Sequence, residues 1–223
     1  MITALENWQS ARRPAPLRAG EVHLWRAPLD PTPELGGTLS PSEWIRAGRF
    51  HFARDRERFI ATRGLLRSIL SEYLDTDPAG IRFQTGPHGK PGLEHAGSAL
   101  RFNLSHSDDL MLLAVTHGRD IGVDLEFMRH DMPFETLADH YFEPEDAWDL
   151  RLLPAAERAW KFYDVWTCTE ARLKAHGVGI ANGLRVVEPD RWSLLKLTPA
   201  AGYAAALAVD GGDFQLECWS WQK

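Results

Sequence analysis

LMLLAVTHGRDIGVDLE, residues 110–126, is an unbroken apolar run followed by an alternating one, with the turn-forming residues HGRD between them. It reads as two strands joined by a four-residue turn, and the spacing predicts a hairpin. On the second strand Ile121, Val123 and Leu125 take one face. Asp124 and Glu126 share the other, about 7 Å apart at about 3.3 Å per residue. Two carboxylates aimed into one small volume need a partner, and the rest of the chain is read for it.

Upstream, FNLSHSDDL (102–110) reads as a polar turn that places a hydroxyl, an imidazole and backbone N–H groups together at Ser105 and His106, a plausible phosphate cradle. A hydrolytic Ser105–His106 pair is the weaker reading, because adjacent residues seldom face one another and no GxSxG elbow is present. Residues 81–99 contain TGPHGKPGL, whose glycines and prolines predict a loop without regular structure. From Ala53 to Leu74 the residues Phe59, Leu66, Ile69, Leu70 and Tyr73 recur at helical spacing and predict one long amphipathic helix. It carries arginines at 54, 58, 63 and 67, with Arg46 and Arg49 before it, whose planar forks suit phosphate oxygens. Residues 28–43 read as loop, Val22 to Ala27 as the first strand, and the Arg- and Pro-containing start of the chain as a flexible leader.

Downstream, residues 134–177 read as mostly helical, and RWSLLKL, GYAAALAV and FQLECWSW as strands. The fold class expected is therefore α+β with mostly antiparallel sheet. In WTCTEARLKAHGVGI (166–180), a helix from Phe162 to His176 sets Glu170 and Lys174 on one flank of the stripe of Phe162, Trp166 and Leu173. Asp124, Glu126 and Glu170 would give three hard oxygen ligands, which suit Mg²⁺ better than zinc and imply a phosphate-bearing substrate. A plainer reading stands beside it. D-x-E motifs are common on solvated faces, and Glu170 with Lys174 is also the pattern of a surface ion pair worth about 0.2 to 0.5 kcal/mol.

The 223 residues are 44% hydrophobic, enough for a substantial core, and the formal charge of −6 argues against a nucleic-acid or anionic-membrane coating protein. Two cysteines, Cys168 and Cys218, are too few for a disulfide framework or a cysteine zinc site, so a reducing cytoplasm is expected. No stretch has the length of a membrane span, and secretion is not expected.

The motifs GKP (89–91), FNLSHS (102–107), IGVDLE and WTCTEARLKAHGVGI occur in an order and spacing that resemble the 4′-phosphopantetheinyl transferases, specifically the long Sfp-type group, over roughly residues 40–190. The resemblance implies two similar α+β halves in pseudo-twofold arrangement, 1–118 and 119–223, in one monomeric chain with the site between them. It implies transfer of 4′-phosphopantetheine from coenzyme A to a serine of an apo acyl or peptidyl carrier protein, with release of adenosine 3′,5′-bisphosphate. Residue by residue, it makes Asp124, Glu126 and Glu170 the Mg²⁺ ligands, Lys174 a phosphate contact, and Ser105 and His106 the phosphate-binding turn. Gly89, Lys90 and Pro91 become the loop against the adenosine, and Arg46 a basic position near the 3′-phosphate. Glu170 is the expected general base and Lys174 the charge stabiliser or proton donor. Thr169 stands where the family motif W-T-x-K-E-A carries lysine, and Glu43 where some members carry lysine. A coenzyme A binding protein without transferase activity and a Mg²⁺-dependent phosphohydrolase are the two alternatives.

Overall fold

The computed structural model describes residues 7–86, 89–94, 99–178 and 189–222. Its first sheet has the strand order β1-β10-β2-β6-β5, with β1 at Gln9–Ala11, β2 at Glu21–Pro28, β5 at Leu100–Ser107, β6 at Leu110–His117 and β10 at Gln215–Trp221. Its second has the order β7-β9-β8, with β7 at Ile121–Phe127, β8 at Trp192–Leu197 and β9 at Tyr203–Asp210. Helices α1 (Pro33–Gly37), α2 (Pro41–Ala47) and α3 (Ala53–Leu74) belong to the first half of the chain. Helices α4 (Phe134–Tyr141), α5 (Pro144–Leu152) and α6 (Ala155–His176) belong to the second.

The two halves repeat one topology. A strand, a 22-residue helix and an antiparallel strand pair follow in order, and the last strand of the unit returns to pair antiparallel with the first. In the first half this is β2, α3, β5, β6; in the second it is β7, α6, β8, β9. This is the α+β arrangement expected.

Each long helix covers the outer face of its own sheet. Leu65, Leu66, Ile69 and Leu70 of α3 pack with Trp25, Phe102, Leu113 and Val115, which follows from their helical spacing. Ala171 and Ala175 of α6 lie on Ala206 and Ala208 of β9. The inner faces meet one another: Val22, Leu24, Leu112 and Ala114 of the first sheet pack on Ile121, Val123, Leu125, Leu207 and Val209 of the second.

That face-to-face packing explains why β6 and β7 do not form the predicted hairpin. Both edges of β6 are taken, by β2 and by β5, so its successor has no edge to join. The HGRD connection instead steps from one sheet to the other, and β7 pairs with β9. Residues Met111–Thr116 are all buried, as suits a central strand covered on both faces.

Four further expectations are corrected. Within residues 81–99, β3 (Phe83–Thr85) and β4 (Pro91–Leu93) form a short antiparallel hairpin, with the Gly86 N–H donating to Lys90 O at 2.9 Å. Gly89 adopts φ +86 there, which a residue without Cβ accepts at no steric cost. Residues 102–107 are not a turn but strand β5, and only Asp108 and Asp109 separate it from β6. The segment 28–43 contains α1 and the start of α2, each capped by the side chain before it, Thr32 and Ser40. The leader contains β1, which pairs in parallel with β10, and β10 in turn pairs in parallel with β2.

Candidate functional site

The edge of β7 not used by β9 faces β5, and side chains of the first half satisfy it. Asn103 Oδ1 accepts the Val123 N–H at 2.9 Å, and Ser107 Oγ accepts the Phe127 N–H at 3.0 Å. The same period-two row on β5 reaches the carboxylates: Ser105 Oγ donates to Asp124 Oδ1 at 3.1 Å, and Ser107 Oγ donates to Glu126 Oε2 at 3.0 Å.

On the other side, α6 lies directly on β7 because residue 122 is glycine. A Cβ there would fall 2.0 Å from Ala171 O and 2.3 Å from Ala175 N. This approach delivers Lys174, whose Nζ donates to Asp124 Oδ1 at 2.6 Å and to Ser105 Oγ at 2.9 Å. The plainer reading of Glu170 and Lys174 as a surface pair therefore fails. Glu170 is 8% exposed, Asp124 3%, and the ammonium turns inward to Asp124.

The electrostatics follow from this crowding. Burial raises the proton affinity of Glu126 and of Glu170 above the ordinary carboxylate range, and the Asp124 charge pushes both further. His106 projects from the face of β5 opposite Ser105, since neighbours on a strand alternate, so the two do not form one turn. Partial desolvation, then the Lys174 and Arg58 cations, hold its imidazole below the usual value. Thr169 donates its hydroxyl to Val165 O, within its own helix, at 2.9 Å.

Among the described residues, no three His, Cys, Asp or Glu side chains form a ready-made metal cage. Two carboxylate oxygens nevertheless suit a hard cation. Asp124 Oδ2 and Glu170 Oε1 are buried without a hydrogen-bond partner, acceptors with unused lone pairs. Magnesium ordinarily completes its shell with waters and substrate phosphates, so a partial protein set fits it.

Other expected residues lie around this seam. Lys90 Nζ donates to Ile121 O and to Ala175 O, each at 3.0 Å. With Pro91, Arg101, Phe102, Asp120 and His176 it lines a concavity of about 770 Å³ at the start of β7. Arg46 is exposed on α2 above the Phe59 ring, lining a separate concavity with Ser42, Ile45, Arg49 and Phe50. Four arginines of α3 are already paired: Arg54 and Arg58 with Asp108 and Asp109, Arg63 and Arg67 with Glu43. Carboxylates from outside the helix, rather than phosphate oxygens, therefore meet these four forks. Phe134 and Phe142 pack into the aromatic core with Phe162.

Sequence reasoning passed over Asn103 and Ser107. Their signal was the N-x-S-x-S alternation, which is visible only once 102–107 is read as a strand.

A family model described as 4′-phosphopantetheinyl transferase, N-terminal, matches residues 25–118, and one described as 4′-phosphopantetheinyl transferase superfamily matches residues 120–217. The 4′-phosphopantetheinyl transferase HetI of Nostoc sp. is 45% identical over 222 residues, 91% of this chain and 93% of that protein. A phosphopantetheinyl transferase of Thraustochytrium sp. is 34% identical over 71% of this chain and 60% of its own. The 4′-phosphopantetheinyl transferase Sfp of Bacillus subtilis is 29% identical over 64% of this chain and 62% of its own. The chain belongs to the 4′-phosphopantetheinyl transferase superfamily. It is an enzyme of that class, transferring the 4′-phosphopantetheine group.

Proposed function

We propose that the donor is coenzyme A, the acceptor a serine of an apo acyl or peptidyl carrier protein, and the cofactor Mg²⁺. The observation that carries this reading is the buried seam in which Asp124 Oδ2 and Glu170 Oε1 lack partners beside the Lys174 ammonium. A bound Mg²⁺ would be held by Asp124, Glu126 and Glu170, and would neutralise the pyrophosphate and the charge gathering on the leaving group.

The remaining roles belong to the chain. The carrier serine oxygen attacks the β-phosphorus of coenzyme A as the bond to adenosine 3′,5′-bisphosphate breaks. Glu170 accepts the serine proton, its proton affinity raised by burial and by the Asp124 charge. Lys174 faces the charge that develops on the phosphate oxygens, with Ser105 as a donor beside it, while His106, on the opposite face of β5, would meet phosphate only from outside this triangle. The turn of Gly89, Lys90 and Pro91 borders the concavity we assign to the adenosine, and Arg46 lies on the side we assign to the 3′-phosphate. Residues 1–118 would hold the nucleotide and 119–223 the metal carboxylates.

Both sides of the seam come from one chain, which supports a monomer. Among the described residues no helix is long and apolar enough to cross a membrane, and Cys168 and Cys218 are buried and not joined in a disulfide, in keeping with a cytoplasmic location.

The test is the intact mass of apo carrier proteins incubated with this enzyme, coenzyme A and Mg²⁺, with and without EDTA. A gain equal to the phosphopantetheine arm that EDTA prevents is expected. Coenzyme A binding with no gain on any carrier would overturn the reading.

A further inference from the structure

Lys90 ties the first half of the molecule to the backbone of both elements bearing the seam's charged groups, where Ser105 ties it to their side chains. The β3–β4 turn projects it, and its aliphatic stem runs past Gly177, where an added Cβ would lie 3.7 Å from Lys90 Cδ. Its ammonium then reaches two backbone carbonyls in the interior. Ala175 O belongs to the last turn of α6, where carbonyls have no amide one turn ahead within the helix. Ile121 O lies on the edge of β7 away from β9, the same edge whose N–H groups at Val123 and Phe127 are met by Asn103 and Ser107. A cation at a helix C-terminus is favoured by the helix dipole, and a lysine ammonium has three donors to share.

The two carbonyls stand close to the reacting groups along their chains. Ile121 is three residues before Asp124 on β7, and Ala175 follows Lys174 directly on α6. A side chain that bonds both carbonyls at 3.0 Å fixes how far β7 stands from α6 at the end nearest Asp124 and Lys174. With both those bonds made inside the protein, the ammonium has little left to offer a nucleotide.

We propose that Lys90 is a positioning residue: its ammonium clamps the start of β7 to the end of α6, and its effect on transfer runs through the placement of Asp124, Glu170 and Lys174. This rests on the transferase reading given above. The clamp itself, however, is a property of the protein without substrate and is tested as such.

The variants are Lys90→Met, which keeps the stem and loses all three donors, and Lys90→Arg, which keeps a cation able to bridge two carbonyls. Hydrogen exchange of the substrate-free proteins reads the clamp. Protection of residues 121–125 and 171–177 is expected to fall by about tenfold in K90M, and to return in K90R. Unchanged protection in K90M overturns the clamp, whether or not any carrier is ever modified. Kinetics then read the consequence: K90M is expected to lower kcat by about tenfold or more while the Kd for coenzyme A, measured by calorimetry, moves less than about threefold. K90R should recover most of kcat. A K90M enzyme with unchanged kcat and a coenzyme A Kd weakened by about tenfold would show direct nucleotide contact and overturn the positioning role.

Discussion

Lys174 Nζ lies 2.6 Å from Asp124 Oδ1, and Ser105 Oγ completes a triangle with both. Asp124 is almost wholly buried, and this ammonium is the cation paired with it. Lys174→Met should destabilise the fold by about 3 kcal/mol, because it strands a buried carboxylate. Adding Asp124→Asn to it should restore much of that loss in urea denaturation and none of the transfer activity. Full recovery of activity in the double variant would remove both residues from the chemistry.

Ser107 Oγ holds Glu126 Oε2 and the Phe127 N–H at once. Ser107→Ala should cost about 1 kcal/mol in stability. It should also shift the Mg²⁺ titration of turnover to higher concentration, because Glu126 loses a donor that fixes its direction. An unaltered Mg²⁺ curve would leave Ser107 a purely structural residue.

Glu126 and Glu170 are held above the usual carboxylate value of 4.5. Protons therefore compete for these oxygens at a higher pH than they do for an exposed carboxylate. The sign is that cation affinity is full above the raised values and falls as pH drops through them. Mg²⁺ titrations of coenzyme A turnover between about pH 8 and about pH 5 should show the half-saturating concentration rising before ordinary carboxylates protonate. A flat response down to the ordinary carboxylate range would contradict the burial of this pair.

Glu43 shows the opposite sign. Burial alone would raise its value, yet the Ser40 N–H and the Arg63 and Arg67 cations hold it below the usual one. Its contribution is present above the unfolded value of 4.5 and is lost as pH falls through the lowered one. Glu43→Gln leaves Arg67, 3% exposed, without its carboxylate, and should cost about 3 kcal/mol near neutral pH. The stability gap between wild type and E43Q should narrow in acid, which chemical denaturation at several pH values will measure.

Much of the fold could be read from local pattern. Helix α3 shows its stripe from Phe59 to Tyr73, about four turns, and the alternation in IGVDLE correctly separates Ile121, Val123 and Leu125 from Asp124 and Glu126. What could not be read was pairing. Whether β7 joins β6 or β9 depends on which edges are already occupied, and that is settled by strands far away in sequence. The polar row on β5 was misread for a related reason: Asn103, Ser105 and Ser107 look like turn residues until β7 is set beside them. The partners of Arg54, Arg58, Arg63 and Arg67 could not be read either, because Glu43, Asp108 and Asp109 approach them only in three dimensions.

Strand β10, residues Gln215–Trp221, lies between β1 and β2 in the sheet of the first half. During synthesis the first half therefore leaves the ribosome with a gap that is filled only once residues 215–221 have been made. Its sheet is built from contacts nearly the full sequence apart, a topology that folds slowly and late. A chain interrupted at residue 118, or one stalled before residue 215, would carry an open edge on β2, the kind of edge that recruits other chains into aggregates.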